Sequence, residues 1–328
     1  NAFLHVAGGE RAEANRVQFV SWGSRRWAIN PGDAGARAYQ QDRIRRFAAK
    51  SDGVFFDSHS SGDIWRVMGK LKLLEYPDHA SYERDMIELV KGIAGALAPK
   101  IMMLNTSEYM KPFDYAMATA AGAVHLERMN NPLYAGMPER WRWVDTLVAQ
   151  HVLVELVTLD SWQEINTARG VFTTLTPGNY ASKAERAKMF ELASYYMVVP
   201  QTPDLVLLDL ENAWKVPYST VWLKAQEYDI GHPRAARRVI QKGRDPLGNG
   251  FQVWARDFDN GVVVARTASG WKDRNFSDST AVSVPLPGGE ALHVLHGDGS
   301  LGPAVSTVTL RNAEAVIMVR GADGAAQR

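Results

Sequence analysis

The chain is 328 residues long, 46% apolar and 22% charged, and contains no cysteine. Such a composition is globular and excludes a disulfide scaffold, a thiolate metal site and a cysteine nucleophile. Its 37 basic and 36 acidic residues give a net charge of +1, without the basic excess of a nucleic-acid binder, and no apolar run approaches the ~18 residues of a membrane span.

The length predicts one large domain and a smaller one. The opening residues 1–6 read as the end of a strand already under way and not as a signal peptide, which implies either a leader that has been removed or a chain that begins inside a domain. From residue 52 to residue 211, short apolar runs alternate with helical patterns. Gly53 to Phe56 is a strand ending in Asp57-Ser58. Tyr82 to Leu97 has apolar positions at helical spacing and is stopped by Pro99. Ile101 to Leu104 is a strand ending in Asn105-Thr106. A helix over Phe113 to Ala121 leads to a strand at Val124 to Leu126 and then Glu127. Trp141 to Gln150 reads as a helix, and Val152 to Leu159 as a strand that contains Glu155. Ser182 and Glu185 make a capping box for a helix running to about Met197. Leu205 to Leu208 is a last strand before Asp209 and Glu211.

Strands alternating with helices predict βαβ units and a parallel sheet, and near-continuous apolar strands fit one covered on both faces. Polar groups stand at or near the strand C-termini: Asp57, Asn105, Glu127, Glu155 and Asp209. Active sites of α/β folds form there. No glycine-rich phosphate loop follows any strand, which favours a barrel over a nucleotide-binding sheet. After Gly243 the texture changes to short period-two runs separated by turns, among them Asp259-Asn260-Gly261 and Gly297-Asp298-Gly299. This predicts a small β-sandwich over residues 244–328, following a barrel domain over residues 1–243.

Trp27-Ala28-Ile29-Asn30-Pro31, with Tyr39, Arg43 and the string Asp52-Gly53-Val54-Phe55-Phe56-Asp57-Ser58, resembles the bacterial glycosyl-hydrolase-like TIM-barrel families. These are akin to the alpha-amylase and alpha-galactosidase groups. The family that can be named is the hypothetical glycosyl hydrolase-like family fifteen. Asp257 to Val264 resembles the β-domain that follows such barrels. The resemblance implies a (β/α)8 barrel in which Asp57 ends the fourth strand, so that two to three βα units are missing upstream. It implies an oligo- or polysaccharide substrate and export from the cell.

Glycoside hydrolysis needs two carboxyl groups facing one pocket. Asp57 is the candidate nucleophile or base, largely by the resemblance; its other reading is a helix N-cap. Glu127 is the candidate general acid, or alternatively an ion-pair partner of Arg128. Glu155 stands inside an apolar strand and must be paired or face a pocket. Glu155, Glu108, Asp209, Asn105, His59 and Asn30 are candidate substrate contacts, with capping, ion pairing or packing as the alternatives. Trp22, Trp65 and Trp162 fall in predicted loops and are candidate sugar-stacking residues, or else core. No metal or cofactor motif is present, neither H-E-x-x-H nor an Asp-x-Asp-x-Asp-Gly loop, and the absence of G-x-S-x-G argues against a serine hydrolase. A non-catalytic glycan-binding protein and an inactive truncated fragment are the competing readings.

Overall fold

The computed structural model describes residues 2–21, 24–57, 72–106, 110–127, 136–157, 177–201, 203–209, 223–269 and 275–321. For residues 19–21, 24, 177–184 and 203 the backbone alone is described. By internal contacts the chain divides into two compact units: Asn1–Leu126 with Ala149–Val154, and Glu127–Val148 with Glu155–Arg328.

The first unit begins with extended chain. Leu4, fully buried, exchanges backbone hydrogen bonds with Val17 and Ala28, and Val6 bonds to Asn15. The opening segment, read as the end of a strand, pairs antiparallel with residues 15–17, 28–30 and 72–74 and is not a strand of the parallel sheet. Strands β1 (Gln18–Ser21) and β2 (Ser24–Trp27) form a hairpin. Helix α1 (Ala34–Phe47) is capped by the Asp33 carboxylate, which accepts from Ala36 N at 2.7 Å. Its exposed Tyr39 and Phe47 break the apolar periodicity that would have marked it in the sequence.

Strand β3 (Gly53–Phe56) is followed by helix α2 (His79–Leu97), strand β4 (Ile101–Asn105), helix α3 (Pro112–Ala121) and strand β5 (Gly122–Leu126). Asp78 caps α2 by accepting from Ser81 N at 2.7 Å, and Asp114 accepts from Lys111 N at 2.8 Å across the first turn of α3. Pro112 opens α3, and Gly122 closes it in the left-handed conformation, φ 84°.

Period two then decides what each strand buries. Met102 and Leu104, with Val54 and Phe56, pack against Leu89, Val90 and Ile93 of α2 and Phe113 and Met117 of α3. Each such side chain taken from water stabilises by about 1.5–3 kcal/mol. Both helices cover the same face of these strands. Phe55 and Ile101, on the other face, are about half exposed.

The remaining elements are α4 (Met137–Ala149), β6 (Leu153–Val157), α5 (Pro177–Val198) and β7 (Val206–Asp209). Strands β3 to β7 form one five-stranded parallel sheet in strictly sequential order, β3-β4-β5-β6-β7. This order contains no switch point of the doubly wound kind. Helix α5 starts at Pro177, so Ser182 lies inside it instead of capping it. Glu185 does not close a capping box; its Oε1 accepts from Gly297 N at 2.9 Å. Proline at a first helical position needs no hydrogen-bond partner, which makes Pro177 a sufficient start.

The antiparallel region comprises β8 (Arg238–Arg244), β9 (Gly250–Asp257), β10 (Gly261–Arg266), β11 (Val282–Pro285), β12 (Leu292–Leu295), β13 (Leu301–Val305), β14 (Thr307–Leu310) and β15 (Glu314–Val319). Six of these make a sheet in the order β13-β12-β15-β10-β9-β8, and β11 pairs with β14 separately. Between them Val253, Ala255, Val262 and Val264 meet Val284, Leu286, Val308 and Leu310 in one core. Gly243 and Arg244, the sequence-predicted boundary, lie within β8, so the antiparallel sheet begins at Arg238. The polar edge strand β8 and the Gly-Pro-containing β13 lack the alternation that reveals strands.

The second unit also seats α4 and α5 on this sheet. Trp141 meets Trp254 edge to face at 5.8 Å, and Arg256 donates to Tyr196 O at 2.8 Å. Burial and the neighbouring Arg237 lower the Arg256 pKa to about 10. Among the described residues, no helix is long and apolar enough to cross a membrane.

Candidate functional site

Asp57 follows the last residue of β3, and Asn105 is the last residue of β4. The parallel register pairs Phe56 with Leu104, so Asp57 and Asn105 come level at adjacent strand ends. Asn105 Nδ2 donates to Asp57 Oδ1 at 2.9 Å. The amide is 3% exposed, whereas the carboxylate is exposed. A buried amide fixed in a strand is a rigid donor, and a hydrogen bond to an ionised group contributes about 1.5–3 kcal/mol. The sheet thus sets one oxygen of Asp57.

Register carries the row one strand further. Asn105 pairs with His125 of β5, so Asp57, Asn105 and His125 lie abreast on three neighbouring strands. One row earlier on the same face stands Phe55. Its ring meets the His125 imidazole edge to face across β4, with centroids 5.0 Å apart and planes at 72°. Phe55 was not among the predicted site residues, whereas His125, next to a strand end, is a residue the sequence offers as a hydrogen-bond donor to sugar, with packing as its alternative. The signal that could have found Phe55 is parity: it stands two residues before Asp57 and so shares its face.

The other predicted residues are positioned as follows. Glu127 directly follows β5 and is half-buried. Glu155 stands in the middle of β6, half-buried, between Val154 and Leu156, which are fully buried. The sequence reading puts those two apolar side chains on the face opposite Glu155, and the alternating burial of β6 has that pattern. Asp209 is the exposed last residue of β7.

Asn30 lies in the turn between β2 and α1. Its Oδ1 accepts from Gly32 N at 3.0 Å and lies 2.9 Å from Tyr76 Oη. Tyr76 Oη also accepts from Gly32 N at 2.8 Å and lies 2.9 Å from Asp85 Oδ2. Burial, then the Asp85 carboxylate, pushes the Tyr76 hydroxyl pKa up, so it stays a donor in this network. A Cβ on Gly32 would stand 2.4 Å from Asp85 Oδ2, which is why the turn holds a glycine. Glu108, Trp22, Trp65, Trp162 and His59 lie outside the described residues.

A groove of ≈ 690 Å³ lies on α2 and α3, lined by Ile87, Lys91, Tyr115, Thr119 and Gln150 among others. None of these is a predicted site residue. Among the described residues no three His, Asp or Glu side chains cluster as metal ligands would.

No protein-family model matches the sequence, and no curated protein sequence does. Among the solved structures similar to the chain are the following two. One is the alpha-amylase of Geobacillus thermoleovorans in complex with acarbose: 9% identical, TM-score 0.43, covering 92% of this chain and 67% of that one. The other is Amy13B of Eubacterium rectale: 8% identical, TM-score 0.42, covering 98% of this chain and 71% of that one.

Proposed function

We propose that the chain is a glycoside hydrolase of the glycosyl-hydrolase-like barrel type, cleaving an oligo- or polysaccharide with Asp57 and Glu127. In this reading residues 1–243 belong to a (β/α)8 barrel and residues 244–328 to an accessory sandwich. Glu127 protonates the glycosidic oxygen as the bond to the anomeric carbon breaks. Asp57 either attacks that carbon or takes a proton from the water that does. Glu155, Asp209, Glu108, Asn105 and Asn30 would hold sugar hydroxyls, with His59, Trp22, Trp65 and Trp162 completing the substrate contacts. The observation that carries the reading is the exposed Asp57 carboxylate at a strand C-terminus, oriented by the buried amide of Asn105 from the next strand. A nucleophile or base must be presented in one fixed orientation to gain from proximity, and this hydrogen bond supplies it.

The test is turnover of a panel of aryl glycosides by the chain and by Asp57→Asn and Glu127→Gln variants. Asp57→Asn is expected to abolish turnover of every substrate. Glu127→Gln is expected to spare substrates whose leaving group is acidic enough to depart unprotonated. Sugar binding without any turnover by the unsubstituted chain would replace the hydrolase reading with that of a glycan-binding protein.

A further inference from the structure

We infer that Phe55, braced by His125, is the stacking platform for a pyranose ring at this site. The inference rests on the carbohydrate reading of the Asp57 site and extends it to a residue that the reading does not use.

Phe55 lies on the face of β3 and β4 opposite α2 and α3, where Ile101 is half exposed as well. Parallel strands are usually covered on both faces, yet this phenyl ring is 50% exposed. Its neighbours Val54 and Phe56 turn to the helix-covered face and join the core. The ring is also not left to wander. It reaches over β4 to the imidazole of His125, which approaches edge to face at 5.0 Å. An exposed ring held in place by a second ring is preorganised to receive a flat apolar surface.

Polar groups line one side of this ring. In the next row toward the strand C-termini stand the Asp57 carboxylate, the Asn105 amide and His125 itself. They offer acceptors, a donor and a ring nitrogen that can serve as either. An apolar face bordered by a short row of mixed donors and acceptors fits a molecule with a C–H face and a hydroxyl rim. A pyranose is such a molecule, and small-molecule sites combine apolar walls with a few placed polar groups in this way. The favoured sugar carries its axial C–H bonds together on one face, as β-anomeric pyranoses do on the face of H1, H3 and H5. An axial substituent on that face, such as the C1 oxygen or sulfur of an α anomer, would lift the ring from Phe55.

The experiment titrates the unsubstituted chain, labelled with ¹³C at the histidine ring, with methyl thioglycosides of gluco-, galacto- and manno-configuration in both anomers. These probes resist cleavage, so binding is read separately from turnover. At least one β-anomeric probe is expected to bind and to move the His125 ring signal. Phe55→Ala and Phe55→Leu are expected to weaken that binding about tenfold, whereas Phe55→Trp retains it. The leucine variant keeps apolar bulk, and circular dichroism checks that each variant folds. The proposal is overturned if no probe binds, if binding leaves the His125 signal unmoved, or if Phe55→Leu binds as well as the parent. Turnover of aryl glycosides by the unsubstituted chain then decides the hydrolase reading independently.

Discussion

Removing the carboxylate of Asp245 is expected to destabilise the antiparallel region more than any other single truncation of a charged side chain there. Asp245 and Arg266 form an ion pair at 3.0 Å, with both side chains 0% exposed. Arg266 also donates to Leu310 O at 3.2 Å and to Thr280 O, and its guanidinium lies over the Phe251 ring. Asp245 accepts from Leu247 N at 3.0 Å and Asn249 N at 2.9 Å. Burial alone would raise the Asp245 pKa, but the hydrogen bonds from Asn249, Leu247 and Arg266 outweigh it and hold the carboxyl below its ordinary range. Asp245→Ala leaves a buried guanidinium without this partner, and breaking a buried pair costs about 3–5 kcal/mol. Amide hydrogen exchange at Val263 and Val264 of β10 reads the opening of the antiparallel sheet and should accelerate by roughly two to four decades. In Asp245→Ala/Arg266→Met the stranded charge is gone, and much of the loss should be recovered. Because the folded pKa is depressed, the carboxylate's contribution is complete above the unfolded value of about 3.9 and fades as pH falls through the folded one. Acid acceleration of exchange below about pH 4 should therefore be weaker in the alanine variant. A double variant as unstable as Asp245→Ala would refute the reasoning, since the cost would then not come from the orphaned charge.

Other substitutions test other parts of the structure. Gly261→Ala puts a Cβ 2.2 Å from Met318 O across the β10–β15 pair, and such overpacking should cost about 1–3 kcal/mol in thermal or denaturant unfolding. Glu75→Ala removes the acceptor of both His5 N (2.8 Å) and His5 Nδ1 (2.7 Å). With His5 buried, the cost should be about 1–3 kcal/mol for each donor left unpaired, read in denaturant midpoint at unchanged slope. Trp141→Ala empties a fully buried indole site against Trp254 and should cost about 3–5 kcal/mol, with loss of near-ultraviolet dichroism from the Trp pair. Asn105→Asp sets a second carboxylate beside Asp57, where two negative charges disfavour one another. The acid limb of any glycosidase pH profile should move to higher pH, and an unmoved limb would detach Asp57 from the chemistry.

The strands and helices of the parallel region were legible in the sequence because each carries its own period. Gly53 to Phe56 is a strand as read, and the α2 stripe Met86, Leu89, Val90, Ile93 and Leu97 is buried as its spacing predicts. The core of the antiparallel region was legible for a similar reason: Val262, Val264, Val284 and Leu310 stand in short apolar runs between turns, and all four are buried together. Local signals failed where the deciding contact lies far along the chain. Glu185 resembles a capping-box residue, but its hydrogen-bond partner is Gly297, 112 residues away. Strand β8 is polar and borders only β9, so pairing and not hydrophobic pattern makes it a strand. The candidate site divides in the same manner. The sequence by itself determined that Asp57, Asn105, Glu127 and Asp209 stand at strand ends, since each follows an apolar run directly, whereas Glu155 lies inside its strand. Only the tertiary structure decided which of them meet. Parallel register levels Asp57 with Asn105, 48 positions onward, and with His125 beyond it, and brings the Phe55 ring over β4. Register is set by how whole strands and their helices pack, and no single strand's residues encode it.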